Sequence, residues 1–171
     1  MTDNRILLDF SPNMGAQDGI SQSLPDKQFR WARWSFWDVG RPYINFVALC
    51  PGVGDGAVRL EAWMERWERG PDRARWKVGG YVVTGLFGRV ASSAMDLRRL
   101  AQSGEVVGHR NTPALMTFAA KASMIVMLPE VDDALDVRPE HQALVLSALT
   151  GLQVPVAVID KETMMPREFK R

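Results

Sequence analysis

The stretch FVALCPGVGDGAVRL, residues 46–60, decides the fold. Its apolar residues run up to Cys50, and three glycines then follow around Asp55. An apolar run that stops this abruptly is typical of a strand buried on both faces. Asp55 is suited to cap a helix that ends at Gly70. The stretch therefore predicts a strand, a tight turn and a helix, which is the repeating unit of an α/β sheet.

Four short runs rich in Val, Ile or Met lack polar alternation, and each predicts a buried strand: 44–49, 81–86, 123–128 and 154–159. Helix signals separate the later runs. Ser93 with Asp96 resembles a capping box closed by Gly104, Thr112 before Pro113 predicts an N-cap, and Arg138-Pro139 opens a helix ending near Gly151.

Strands alternating with helices predict a three-layer α/β/α fold, with a mainly parallel four-stranded sheet and helices on both faces. The segment 31–37 is suited to an added edge strand or hairpin arm. Residues 1–28, of which 11–28 are rich in Ser, Gly, Asp, Asn, Gln and Pro, are expected to be an extended or mobile lead-in. Residues 29–171 are expected to form a single domain.

Composition excludes several classes of protein. The net charge of +1 gives no global field that would attract nucleic acid or a membrane. One cysteine allows no internal disulfide, and two distant histidines cannot complete a Cys/His zinc cage, so no metal or other cofactor is expected. The first ten residues do not resemble a signal peptide, and no apolar run is long enough to span a bilayer. We expect a cytoplasmic protein of a bacterium or of a phage-infected cell.

The loop after the first buried run occupies the edge of the sheet where α/β proteins bind ligands. It is either a ligand-binding loop or simply a tight turn. It is not a P-loop, because no Gly-Lys-Ser/Thr follows, and its glycines miss the dinucleotide-binding spacing. Asp55 would also repel a phosphate at the helix terminus.

Cys50 has two interpretations. A cysteine at a strand end beside a helix N-terminus is suited to act as a nucleophile, with His109 as its base. The alternative is a small buried cysteine, the commoner fate of a free thiol.

The segment FRWARWSFW, residues 29–37, interleaves Arg30 and Arg33 with three tryptophans. Arginines beside stackable rings are suited to holding single-stranded nucleic acid. The alternative is that the tryptophans pack the edge of the sheet while the arginine stems lie along it. His141, in the last predicted helix, is expected to be structural or exposed.

The order of these segments resembles domain-of-unknown-function family 1643, found in bacteria and phages. The matching segments are the aromatic-arginine lead-in, LCPGVGD from 49 to 55, GLF from 85 to 87 with ASS from 91 to 93, and EVVGHRN from 105 to 111. The resemblance covers roughly residues 29–128. Together with the gathering of strand ends at one edge, it implies a crevice lined by Cys50, Pro51, Gly52, Asp55, Phe87, Arg89, His109 and Asn111.

The chain also departs from that pattern. Cys50 stands where the family has an asparagine before proline, and Gly85 stands where it has an asparagine before Leu-Phe. Val90 stands where the family has an arginine, although Arg89 is adjacent. The terminal histidine is missing from the segment 165–169. Polar residues lost at strand ends imply weakened or altered chemistry.

The first motif more distantly resembles the water-positioning loop of mismatch-specific uracil-DNA glycosylases. That resemblance implies a uracil-DNA-glycosylase-like fold with a four-stranded parallel sheet. It places the water loop at residues 50–52 and a minor-groove wedge at 164–166, including Met165.

Two functions follow as hypotheses. In the first, the protein handles a nucleobase or nucleotide and is glycosylase-like or active in DNA modification, with Cys50, Asp55 and His109 as catalytic groups. In the second, it is an inactive relative that binds a nucleic acid or a protein partner in phage-host conflict. Arg30, Arg33 and Met165 are the expected nucleic-acid contacts in either case.

Overall fold

The computed structural model describes residues 17–23, 27–50, 78–128, 131, 134, 136–159 and 166–168. The described strands are β1 (Gln17–Gln22), β2 (Arg30–Phe36), β3 (Tyr43–Ala48), β4 (Gly80–Gly85), β5 (Met124–Met127), β6 (Val156–Ile159) and β7 (Pro166–Glu168). The described helices are α1 (Ala94–Ser103), α2 (Asn111–Lys121) and α3 (Pro139–Gly151). In this part of the chain, no helix is long and apolar enough to cross a membrane.

The described strands form one sheet in the order β1-β2-β4-β3-β5-β6-β7. The four inner strands β4, β3, β5 and β6 run parallel to one another, and they are the four buried runs that the sequence predicts. The α/β class and the mainly parallel sheet are therefore confirmed.

The predicted number of four strands is too low, because antiparallel strands extend both edges of the sheet. β2 pairs with β4, β1 pairs with β2, and β7 pairs with β6. β1 has the polar sequence QDGISQ and lies within the segment expected to be a lead-in. Main-chain hydrogen bonds hold such an edge strand, so it needs no apolar pattern.

Side chains of β3 alternate between the two faces of the sheet. Val47 and Leu49 join a core with Leu97, Leu115 and Leu149 from the three helices. Ile44, Phe46 and Ala48 belong to a second buried cluster with side chains of β4, β5 and β6. The three described helices thus cover one face, while the helix predicted over residues 55–70 lies outside the described residues.

Two of the three described helices begin where the sequence predicts. Ser93 caps α1 by accepting a hydrogen bond from the Asp96 N–H at 3.1 Å, and the Gly104 N–H donates to the Leu100 carbonyl at its end. Arg138 precedes α3, with Pro139 in its first turn.

The predicted N-cap of α2 at Thr112 is wrong. The helix begins at Asn111 and Arg110 takes the capping position, without a side-chain cap hydrogen bond. The reason is tertiary, because the Asn111 side chain is tied to the end of β4 and fixes where the helix starts.

Candidate functional site

The order of the parallel strands places a topological switch point, the kind of position where open α/β sheets bind ligands, at the carboxyl edge of the sheet. Across the sheet the inner strands lie in the order β4-β3-β5-β6, which are the second, first, third and fourth of these strands along the chain. The connection from β3 to β4 therefore runs in one direction across the sheet, and the connection from β4 to β5 runs in the other. In open α/β sheets ligands bind where this reversal separates two strands. In this sheet the reversal lies between β3 and β5. Cys50 follows β3 and Leu128 follows β5 at this point.

The end of β4 is irregular, and this shapes the edge. Ala32 pairs with Thr84, but the next bridge towards the carboxyl end joins Phe29 to Arg89. Residues 85–88 therefore bulge out opposite residues 30–31. A bulge of this kind leaves ladder carbonyls that need other donors.

Asn111 supplies donors to this bulge. Its Nδ2 donates to the Gly85 carbonyl at 2.9 Å and to the Leu86 carbonyl at 3.0 Å. The side chain is buried, and its Oδ1 has no hydrogen-bond partner among the described residues. Asn111, which was predicted to bind substrate, therefore has a structural role through its amide nitrogen. Its Oδ1 remains an unused buried acceptor among the described residues.

His141, which the sequence analysis expected to be structural or exposed, also serves the bulge through a contact that the sequence did not predict. Its Nε2 lies 2.9 Å from the Leu86 carbonyl, and its ring lies 5.6 Å from the Phe87 ring, centroid to centroid. A carbonyl oxygen only accepts, so Nε2 carries the hydrogen and Nδ1 is left as the other ring nitrogen. Because 55 positions separate His141 from Leu86, no local sequence signal announces the contact.

Phe87, predicted to bind substrate, is fully buried in the core. Its N–H donates to the Leu49 carbonyl at 3.0 Å, which extends the pairing of β4 with β3. In this conformation the ring belongs to the core and presents no face to a ligand.

Cys50 lies half-buried where β3 ends. Its Sγ is 3.5 Å from the Ala91 carbonyl, to which the thiol donates. Arg30 lies close enough for a favourable electrostatic interaction with the thiolate form of Cys50. The charge of Arg30, a residue that sequence reasoning had assigned to nucleic acid, therefore acts on the candidate nucleophile.

Arg30 is 8% exposed. Burial lowers the pKa of its guanidinium, the neighbouring Arg33 lowers it further, and Cys50 acts in the opposite direction. A side chain this buried does not present a surface to a phosphate backbone, so the structure gives no support to Arg30 as a nucleic-acid contact. Arg33 lies three residues after Arg30 in β2, so it belongs to the opposite face of the strand. It is half-buried.

Arg89 and His109 lie on the outer flank of the same edge, beside β2. The Arg89 guanidinium carbon lies 5.3 Å from the centroid of the Phe29 ring. The exposed His109 ring forms a T-shaped contact with the Trp31 ring, with the ring centroids 5.8 Å apart. The predicted site residues thus form a crevice group of Cys50, Phe87 and Asn111 and a flank group of Arg89 and His109.

A turn after α1 braces this flank. The Glu105 carboxylate accepts hydrogen bonds from the Val107 and Gly108 N–H groups at 2.6 and 3.2 Å, which lower its pKa. The carbonyls of Val106 and Val107 accept in turn from Arg89 and Gly88. The turn therefore holds the main chain at Arg89 in place.

Four predicted site residues, namely Pro51, Gly52, Asp55 and Met165, lie outside the described residues. Among the residues that the structure describes, no group of three or more His, Cys, Asp or Glu side chains is placed to hold a metal ion.

Comparison with known proteins identifies no family. No protein-family model matches the chain, and no solved structure matches it. An o-succinylbenzoate synthase of Thermosynechococcus vestitus is 39% identical over 62 residues, which are 35% of this chain and 19% of that enzyme. The chain therefore matches about a fifth of that relative, too little to assign it a family or an activity.

Proposed function

We propose that this protein is nucleic-acid-related and binds a nucleobase or nucleotide in the crevice at the carboxyl ends of β3 and β5. The observation that carries the proposal is the reversal of strand order at that point, since such reversals form the ligand crevices of open α/β sheets. The parallel core of four strands is also what a uracil-DNA-glycosylase-like fold requires, and it supports that finer classification.

The groups around the crevice suit a ligand that offers hydrogen-bonding edges. Asn111 has a buried acceptor, and His141 has a second ring nitrogen beyond the one that faces Leu86. A nucleobase carries N–H donors and ring acceptors on one planar edge. Asn111 Oδ1 would accept a hydrogen bond from an N–H group on such an edge.

Binding is favoured over catalysis by the position of His109. A general base has to lie within hydrogen-bond reach of its nucleophile or one water away. The His109 ring packs on the flank against Trp31, whereas Cys50 packs against the helical core. If the protein is an inactive relative, the alternative to a nucleic-acid partner is a protein partner.

The test is direct analysis of the purified protein for a bound base, nucleotide or oligonucleotide, followed by calorimetric titration of free bases and mononucleotides. We expect Cys50→Phe, which fills the crevice, to weaken binding at least tenfold. The matched Cys50→Ser is expected to leave it nearly unchanged. Failure of every base and nucleotide to bind wild-type protein contradicts the proposal.

One observation favours catalysis as the second candidate. The charge of Arg30 interacts favourably with Cys50, and a cation near the sulfur is one feature of reactive cysteines. On this reading Cys50→Ser abolishes glycosylase-like or DNA-modifying activity and leaves the fold intact. The thiol of wild-type protein should also be alkylated by iodoacetamide faster than that of an Arg30→Gln variant, which lacks the cation.

A further inference from the structure

The flank of β2 carries a stack of three side chains that the crevice does not use. Arg89 lies over the Phe29 ring at 5.3 Å, and Phe29 stacks on Trp31 with centroids 5.5 Å apart and planes inclined by 17°. Trp31 is 3% exposed, whereas Phe29 and Arg89 are half-buried. The stack therefore rises from the core to the surface and ends on a guanidinium plane. We call these three residues the flank stack.

The flank stack is held rigid from several sides. The main chains of Phe29 and Arg89 form an antiparallel bridge, and the Arg89 guanidinium donates to the Gln28 side-chain carbonyl. Trp31 presses on the main chain so closely that a Cβ at Gly108 would lie 2.5 Å from its ring. A preorganised surface of this kind loses little conformational entropy on binding a ligand.

Charge on the flank is strongly one-sided although the whole chain is almost neutral. Apart from the buried Arg30, the described segments 27–33, 87–91 and 105–111 contain four lysines and arginines and one acid, namely Lys27, Arg33, Arg89 and Arg110 against Glu105. The Glu105 carboxylate is occupied by the N–H groups of Val107 and Gly108. Arg89 itself forms no ion pair with a carboxylate among the described residues, so its charge is available to an anion.

We propose that the flank stack is a binding platform for single-stranded nucleic acid, an inference that rests on the nucleic-acid function proposed above. An unpaired base stacks on the outer plane of the Arg89 guanidinium, which Phe29 and Gln28 keep in position. Neighbouring cations attract the phosphates on either side. A duplex hides its base faces, so it gains only the phosphate contacts.

The experiment measures binding of a dye-labelled single-stranded oligonucleotide by fluorescence anisotropy at several salt concentrations. Arg89→Lys keeps the charge but removes the planar stacking surface, and it should weaken binding by roughly tenfold or more. Arg89→Gln also removes the charge, and it should lower the slope of log affinity against log salt by about 0.7.

Arg41→Gln is the matched control, because it removes the same charge from an exposed arginine just before β3, at the amino edge of the sheet. It should leave both affinity and salt slope nearly unchanged. Thermal unfolding of each variant checks the fold, and duplex DNA of the same sequence should bind more weakly than the single strand.

The outcomes separate this inference from the crevice proposal. If both Arg89 variants bind the single strand like wild-type protein, or if duplex binds equally well, the flank platform is overturned while nucleotide binding in the crevice stands. If wild-type protein binds mononucleotides but no single strand, the platform is again overturned. A selective loss of single-strand affinity in Arg89→Lys, with mononucleotide binding intact, supports it.

Discussion

Individual polar side chains at the carboxyl edge act on main-chain groups before they can act on a ligand. Asn111 and His141 both donate to carbonyls of the bulge that ends β4. A buried carbonyl without a donor is costly, so these two residues keep the irregular end of β4 in one conformation. The same bulge contains Phe87 and leads directly to Arg89. Site geometry and local stability therefore depend on the same two side chains.

Removing the Asn111 amide tests this dependence. Asn111→Ala leaves the Gly85 carbonyl without its donor, and the Leu86 carbonyl keeps only His141. We expect the free energy of unfolding to fall by about 1–3 kcal/mol in denaturant titration. Thr112→Ala, the neighbouring residue that the sequence suggested as the cap, should cost less than about 0.5 kcal/mol. Equal losses in both variants would contradict the assignment.

At the scale of elements, short connecting turns decide where strands and helices meet. The turn between α1 and α2 is closed by Glu105 and passes through Gly108, whose φ of 78° lies in the left-handed region. That conformation suits glycine, and the rings of Trp31 and Phe29 leave no room for a Cβ. The turn and the flank stack are therefore one packed unit.

Two glycine substitutions test whether the turn and the flank stack form one packed unit. Gly108→Ala should lower the free energy of unfolding by about 2 kcal/mol or more, because it adds backbone strain to a clash with Trp31 at 2.5 Å. Gly104→Ala is the matched control. Its backbone is extended and no atom lies within 4 Å of the added Cβ, so the change should stay within about 0.5 kcal/mol. Thermal or denaturant unfolding of the two variants decides the point.

At the scale of the whole molecule, α2 is bonded to the sheet at both the carboxyl end and the amino end of the parallel strands. Asn111 at its beginning holds the end of β4, and the Phe118 carbonyl in its last turns accepts a hydrogen bond of 2.8 Å from the Tyr43 hydroxyl at the start of β3. The Asn45 and Thr84 side chains, buried between these two points, are joined by a hydrogen bond of 3.2 Å. Cooperative unfolding of sheet and helix is expected from such ties.

Tyr43 makes this connection sensitive to alkaline pH. Burial raises its pKa well above the ordinary value, because the charged phenolate would lose its water. Above about pH 10 the unfolded chain releases this proton while the folded chain keeps it, so the folded state loses stability as pH rises. Between pH 9 and pH 11 wild-type protein should lose about 1.4 kcal/mol more than Tyr43→Phe. Identical pH profiles for the two proteins would contradict a buried, neutral Tyr43.

The sequence by itself determined the central strands and the ends of two helices. Each buried run reports its own environment, because a strand with helices or other core on both faces must be apolar throughout. Ser93, Gly104 and Pro139 mark helix ends through contacts with residues a few positions away. Such signals are local, so they can be read without knowing the fold.

Only the tertiary structure decided the edges of the sheet and the composition of the site. β1 and β7 are held by main-chain pairing, which leaves little trace in side-chain pattern. The charge of Arg30 acts on Cys50, and the His141 ring lies at hydrogen-bond distance from the Leu86 carbonyl, although long stretches of chain separate the partners. The physical reason is that burial and pairing of a polar group depend on neighbours brought together by the sheet. A residue's type fixes which bonds it can make, and the fold chooses the partner.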